Sequence, residues 1–215
     1  MVEADLAADR AAALALVPVS RETEARLDRF VGVLTAWQSH TNLIAASTES
    51  TLWMRHIADS LQLIALAPNA RSWADIGSGA GFPGLVIACT LVGTTGACVH
   101  LVESNQKKAS FLREAVQATG APAMVHAVRI DDFIKTTPDR FDIVTARALA
   151  PLPKLLTLTY PLLKRGPVGL FPKGQDVGTE LTDAAKCWNM DAALVPSRTD
   201  PRARIIVLRG LSPKL

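Results

Sequence analysis

Residues 73–84 read WADIGSGAGFPG, a short apolar run that meets an acid and then four glycines. A strand ending at Asp75 or Ile76 and feeding Gly77, Gly79 and Gly81 can turn sharply and offer bare backbone to a ligand, because glycine tolerates positive φ at no steric cost. Pro83 suits the first turn of a helix. The apolar residues 85–92 continue that helix, so the unpaired N–H groups at its start face back into the loop. The stretch predicts a cofactor loop between a strand and a helix.

Working outward from it, the chain alternates short apolar strands with amphipathic helices, the pattern of a parallel sheet covered on both faces. Strands are predicted at 98–102, 124–128, 141–146 and 168–171, and helices at 106–119, 153–163 and 177–188. A last strand at 204–208 pairs antiparallel with 192–195. Upstream, an alanine-rich helix ends at Pro18, and Ser20 caps a second helix with an apolar stripe of Leu27, Phe30, Val31, Leu34 and Trp37. Ser47 is predicted to cap a third helix running to about residue 67, with Trp53, Ile57, Leu61 and Ile64 inward and Arg55 paired with Asp59 on its solvent face. The expected organisation is a helical extension, residues 1–70, packed on a Rossmann-like α/β domain, residues 71–215.

The composition is that of a globule with an ample core: 49% of the 215 residues are hydrophobic. No apolar run approaches the length of a membrane span. AAALALVPVS near the start follows Glu3, Asp5 and Asp9 rather than a basic region, which argues against a targeting peptide and for a cytoplasmic address. Cys89, Cys98 and Cys187 lack the spacing of a disulfide framework or a metal site and are expected to be core thiols. The net charge of +3 is unevenly spread. Residues 146–175 hold Arg147, Lys154, Lys164, Arg165 and Lys173 without an acid, and the tail adds Arg198, Arg202, Arg204, Arg209 and Lys214 against Asp200 alone. A basic half of this kind suits either a polyanion such as RNA or plain solvation.

Ligands of open parallel sheets bind beyond the carboxyl ends of the strands. The predicted ends carry Asp75, Glu103, Asp131 and Arg147, with Lys173 after the fifth strand. Glu103 lies where a carboxylate accepts from ribose hydroxyls, and Asp131 is placed to accept the adenine amino group or, with Asp132, to cap the short helix that follows. GAGFPG at 79–84 formally fits a dinucleotide fingerprint. An acid before the first glycine and Phe82-Pro83 in the diphosphate position suit S-adenosylmethionine better, and the chain leaves no room for a dehydrogenase substrate domain.

DIGSGAGFPG, ESNQKKASFLREA, VRIDDF, FDIVTARALAPL and FPKGQ, with TNLIA and RHIADSL upstream, occur in an order and spacing that resemble the bacterial small-subunit ribosomal RNA guanine-N7 methyltransferases, the glucose-inhibited division protein B family. The likeness spans most of residues 25–210. It implies a class I S-adenosylmethionine-dependent methyltransferase, without a metal and monomeric, that modifies N7 of guanosine 527 in the 530 loop of 16S ribosomal RNA, free or in the small subunit. The implied cofactor contacts are Gly77, Gly79, Phe82, Ile130, Asp131 and Arg147, alongside Asp75 and Glu103. Asp131 stands where many members carry glutamate. Arg147 and Lys173 are the candidate catalytic residues, as donors to guanine O6 or a flanking phosphate. Arg55, His56, Lys107, Lys108, Lys164, Arg165, Arg202 and Arg204 are candidates for meeting RNA. Guanine N7 carries a free lone pair at neutral pH, so no general base is required. Read from the residues alone, another RNA, a small molecule or a protein as methyl acceptor stays open, as does a cofactor-holding module without turnover.

Overall fold

The computed structural model describes residues 2–137 and 140–214. Its centre is a seven-stranded sheet in the order β3-β2-β1-β4-β5-β7-β6, made of β1 (Ser72–Ile76), β2 (Cys98–Val102), β3 (Ala123–His126), β4 (Ile143–Thr145), β5 (Val168–Lys173), β6 (Trp188–Pro196) and β7 (Arg204–Pro213). β7 runs antiparallel to both β5 and β6, and the other pairings are parallel. The order reverses between β1 and β4, so a crevice opens beyond their carboxyl ends, where such sheets bind ligands.

Side chains on successive strand residues point to opposite faces, and the two cores follow that alternation. Trp73, Val99, Leu101, Ile143, Leu170, Ile205 and Val207 share one apolar cluster with Leu27, Phe30, Val31, Leu34, Trp53, Ile57 and Leu61. Ala74, Ile76, Val102, Val144, Phe171, Ile206 and Leu208 face the other. The first cluster therefore runs without a break from the N-terminal helices α1 (Val2–Leu16) and α2 (Arg21–Gln38) into the sheet, joined there by α4 (Gly84–Thr90) and α5 (Gln106–Thr119). The second lies under α6 (Ile130–Thr136), α7 (Leu152–Leu163) and α8 (Val177–Ala184).

The cap at Ser20 is present, its hydroxyl accepting from Thr23 N–H, and α5 ends on Gly120 in the left-handed conformation. Five expectations need correction. Residues 46–66 are not one helix: 3₁₀ turns (Ala46–Thr51 and Ile64–Leu66) flank a π turn (Trp53–Ala58) and a short α3 (Asp59–Leu61). Ala45, without a side-chain bond, precedes the first of these turns in place of a Ser47 cap. The π turn starts on the Asp9 carboxylate, which accepts from the N–H groups of Trp53 and Met54, a distant partner that local periodicity does not reveal. α6 begins after Arg129 with no side-chain cap from Asp131 or Asp132. The last helix stops at Ala184 and Trp188 opens β6, and Cys187 is exposed rather than a core thiol.

Candidate active site

β1 ends beneath the glycine loop. Asp75 shares the face of Trp73 and is fully buried between the sheet and α4. Its Oδ2 accepts from Gly84 N–H at 3.1 Å, and a Cβ on Gly84 would sit 2.5 Å from that oxygen, so only glycine lets the helix start this close. Oδ1 finds no partner among the described residues. Burial pushes the Asp75 carboxyl up to about 7, offset in part by Ser78 and the Gly84 N–H. The loop is tied to β2 by Gly77 and Ser78 N–H groups donating to Val102 C=O. Gly77, Gly79 and Gly81 all have positive φ.

Beside the loop lies a cavity of about 420 Å³, a size at which small molecules are bound. Gly77, Gly79, Phe82, Glu103 and Ile130 line it, as do Lys108 and the Leu43–Ile44–Ala45 wall. Glu103 accepts from Gly79 N–H at 2.9 Å and from Asn105 N–H at 2.7 Å. The lining therefore offers an acidic group, bare backbone and apolar walls, the donor set a nucleoside cofactor with an amino-acid tail requires. Asp75 does not line this cavity but supports the loop from behind. Asp131 is exposed and lines it nowhere, its neighbour Ile130 taking that place.

A second cavity, about 660 Å³, lies between the carboxyl ends of β4 and β5, the β6–β7 turn and the π turn. Lys173, Arg55 and Arg204 line it. His56, Arg147, Ala148 and Leu149 line both cavities and so form the seam between them. Ala148 is the one non-glycine residue with positive φ among those described, at 53°. This sparsely populated conformation is stored at the seam.

At that seam Arg147 Nη1 donates to Arg55 C=O at 3.0 Å and to Asp59 Oδ2 at 3.4 Å, while Nη2 meets His56 Nδ1 at 2.6 Å. The guanidinium lies 5.2 Å from the Phe82 ring, on which His56 stacks at 4.9 Å. Arg55 therefore does not pair with Asp59; it reaches across to Asp200 at 3.1 Å. Asp59 turns inward, its Oδ1 accepting from Thr199 and Gln62. Burial, then the Arg147 and Arg55 charges, drive His56 down to about 3. Lys173 Nζ bridges Ala150 C=O at 2.9 Å and Glu180 Oε2 at 2.7 Å. Arg147 and Lys173 of the acid-free run 146–175 are thus paired with acids from outside it.

The other basic candidates separate by position. Arg202 stands exposed at the turn, 3.5 Å from Asp200. Lys107 is exposed on the first turn of α5, whereas Lys108 lines the smaller cavity. Lys164 and Arg165 follow α7, whose twelve residues carry the chain about 18 Å from the carboxyl end of β4 back toward the amino end of β5. There Arg165 donates to the carbonyls of Ile134 and Thr137 at the end of α6, and neither residue lines a cavity. Sequence reasoning passed over Glu180, Thr199 and Gln62, which carry no motif: Glu180 and Thr199 line the larger cavity, and all three bond to residues that line it. No cluster able to hold a metal occurs among the described residues.

A sheet with one reversed strand, a glycine loop after β1 and paired cavities at the switch point is the architecture of a class I S-adenosylmethionine-dependent methyltransferase. Solved structures of the same architecture include an O-methyltransferase from Bacillus cereus in complex with SAH, with a TM-score of 0.59 at 14% identity covering 98% of this chain and 100% of that one. A putative O-methyltransferase from Klebsiella pneumoniae gives 0.58 at 14%, covering 98% and 99%. Identities this low speak to the fold. The family model described as GidB, rRNA small subunit methyltransferase G, matches residues 23–203, and the chain belongs to that family. Similar relatives named ribosomal RNA small subunit methyltransferase G come from Nitrobacter hamburgensis, 58% identical over 94% of this chain and 78% of the relative, and Bradyrhizobium diazoefficiens, 59% identical over 90% and 75%.

Proposed function

We propose that the protein transfers a methyl group from S-adenosylmethionine to N7 of a guanosine in 16S ribosomal RNA, the guanosine 527 of the 530 loop implied by its sequence motifs. The observation that carries this reading is the pair of cavities meeting at Arg147 in a chain of this family. The bound cofactor supplies an activated methyl on a sulfonium. Glu103 holds the ribose hydroxyls, Leu43, Ile44, Phe82 and Ile130 enclose the adenine, Gly77 and Gly79 let the cofactor lie against bare backbone, and Lys108 receives the carboxylate. Asp75 contributes by fixing the loop, and Asp131 from the rim.

The larger cavity receives the extruded base. Arg147 and Lys173, held by fixed protein partners, present donors toward guanine O6 or a flanking phosphate. Preorganised donors of this kind act without reorganising during the reaction. N7 needs no base, and His56 at the seam offers none, since its Nδ1 lone pair already accepts from Arg147. Arg55, Arg202 and Arg204 ring the mouth, where phosphate contacts position RNA without reading its sequence. Lys107 lies on the same edge. Lys164 and Arg165 would reach only RNA wrapping around the domain. No described helix is long and apolar enough to cross a membrane, and we place the enzyme's work in the cytoplasm as a monomer.

The reading is tested by incubating the protein with labelled methyl donor and either intact small subunits or naked 16S RNA, then mapping the product by strand scission at N7-methylguanine. Label at one guanine N7 is the expected result. Label only in another RNA, a protein or a small molecule would refute it, and cofactor binding without transfer would mark a non-catalytic module.

A further inference from the structure

The guanidinium of Arg147 has five N–H donors. Two on Nη1 go to Arg55 C=O and Asp59 Oδ2, and one on Nη2 goes to His56 Nδ1. The Nε–H and the second Nη2–H find no acceptor among the described residues, and the side chain lines both cavities. These two are the donors left for a ligand, and their direction depends on what holds the rest of the group.

At 2.6 Å from Nη2, His56 Nδ1 must present a lone pair, since two N–H groups cannot face each other at that distance. Its proton is then on Nε2, which donates to Thr48 Oγ1 at 3.0 Å, and Thr48 in turn donates to Ala45 C=O at 2.8 Å. The ring plane is fixed by stacking on Phe82, 21° from parallel. Tautomer, plane and position are thus all set by fixed neighbours. The imidazole's neutrality agrees with its depressed pKa.

We infer that His56 is a positioning residue for methyl transfer: as a neutral Nε2–H imidazole it accepts from Arg147 and aims the two remaining guanidinium donors at the base in the larger cavity. The inference rests on the methyltransferase reading above. It gives the π turn a role, because the wider turn carries His56 and the Arg55 carbonyl together onto one guanidinium. π turns of this kind recur at functional sites.

Three variants separate positioning from packing. His56→Phe keeps the stacked ring and removes the acceptor. His56→Asn loses the ring but places an oxygen where Nδ1 stands, whereas His56→Gln places it where Nε2 stands. We expect kcat on the small subunit to fall roughly 10- to 100-fold in His56→Phe, the scale of a small misalignment at a reacting centre, with the cofactor Kd unchanged. His56→Asn recovers most of the rate despite a lower Tm than His56→Phe, and His56→Gln does not. In the free protein at pH 7, two-bond ¹⁵N spectra show the Nε2–H tautomer for His56, which becomes mixed in Arg147→Ala. Wild-type turnover in His56→Phe, activities that follow Tm, or an Nδ1–H tautomer would overturn the inference. Absence of transfer by the wild type would instead fault the methyltransferase reading, with the tautomer measurement still decisive for His56.

Discussion

The two cavities are built in opposite ways. The smaller cavity, the proposed cofactor side, is assembled largely from three strand ends and the loops that directly follow them, so its residues come as short contiguous motifs: GSGAGF at 77–82, Glu103 after β2, Ile130 after the third strand. The larger cavity, the proposed substrate side, is assembled from the π turn, the β4 and β5 ends and the β6–β7 turn, and it is held by the ion pairs Arg147–Asp59 and Arg55–Asp200 between residues far apart in sequence. A cavity of the first kind is specified by local backbone geometry, one of the second by tertiary electrostatics. The first should tolerate surface charge changes and fail on steric ones, and the second should behave the other way.

Arg147 belongs to both cavities and should show the largest effect. Arg147→Ala removes the seam donor and strands Asp59, half-buried, without its cation. Turnover is expected to fall by about 10²–10³, the range for loss of one preorganised donor, as measured by initial methylation rates at saturating cofactor. Gly84→Ala attacks the cofactor side alone. Its Cβ would meet Asp75 Oδ2 and Leu101 Cδ2, both at 2.5 Å, and the overpacking should lower stability by about 1–3 kcal/mol, seen as a reduced denaturant midpoint.

Two groups give the stability opposite pH dependences. Asp75, raised to about 7, favours the folded state while neutral, so its contribution is present near pH 4 and lost as pH rises to 7. His56, lowered to about 3, is neutral in the fold, so stability is lost as pH falls below 6.5 and the unfolded chain takes up the proton. The slopes oppose each other between pH 4 and 6.5. Asp75→Asn should therefore reveal a Tm that climbs with pH over this window, where the wild type is flatter. The smallest effect is expected for exposed Asp131: Asp131→Ala should change cofactor binding by about 0.5 kcal/mol or less, and a loss on the scale of Glu103→Ala would show that the rim contact matters more than its exposure implies.

What was legible in the sequence follows the same division. The strand at 98–102, the strand expected at 168–171 and found to run on to Lys173, helix α5 and the reversed last strand were readable because alternation, caps and glycine stops are local signals. Gly77, Gly79 and Glu103, which line the smaller cavity, were readable because they sit at strand ends in a parallel sheet, whereas Phe82 and Ile130 came only from the family resemblance. The segment 46–66 was misread because its irregular turns depend on Asp9, some forty residues earlier, and helical periodicity survives a π turn well enough to hide it. The pairing of Arg55 with Asp59 was drawn from four-residue spacing, yet Asp200 and Arg147 offered better-placed partners. The basic run 146–175 looked like one surface, but strands and helices send Arg147 and Lys173 to the carboxyl ends of the strands, where the cavities lie, and Lys164 and Arg165 to the amino end of β5.

The division between the cavities is tested most directly by measuring cofactor Kd and methyl-transfer rate together for Glu103→Ala and Lys173→Ala. Glu103→Ala should weaken cofactor binding roughly 10- to 100-fold, the value of a hydrogen bond to a charged group, with the rate largely restored at saturating cofactor. Lys173→Ala should leave the Kd unchanged and lower kcat/KM for the RNA roughly tenfold by the same measure. If both variants raised only the cofactor Kd, the two cavities would be one binding site and the account would fail.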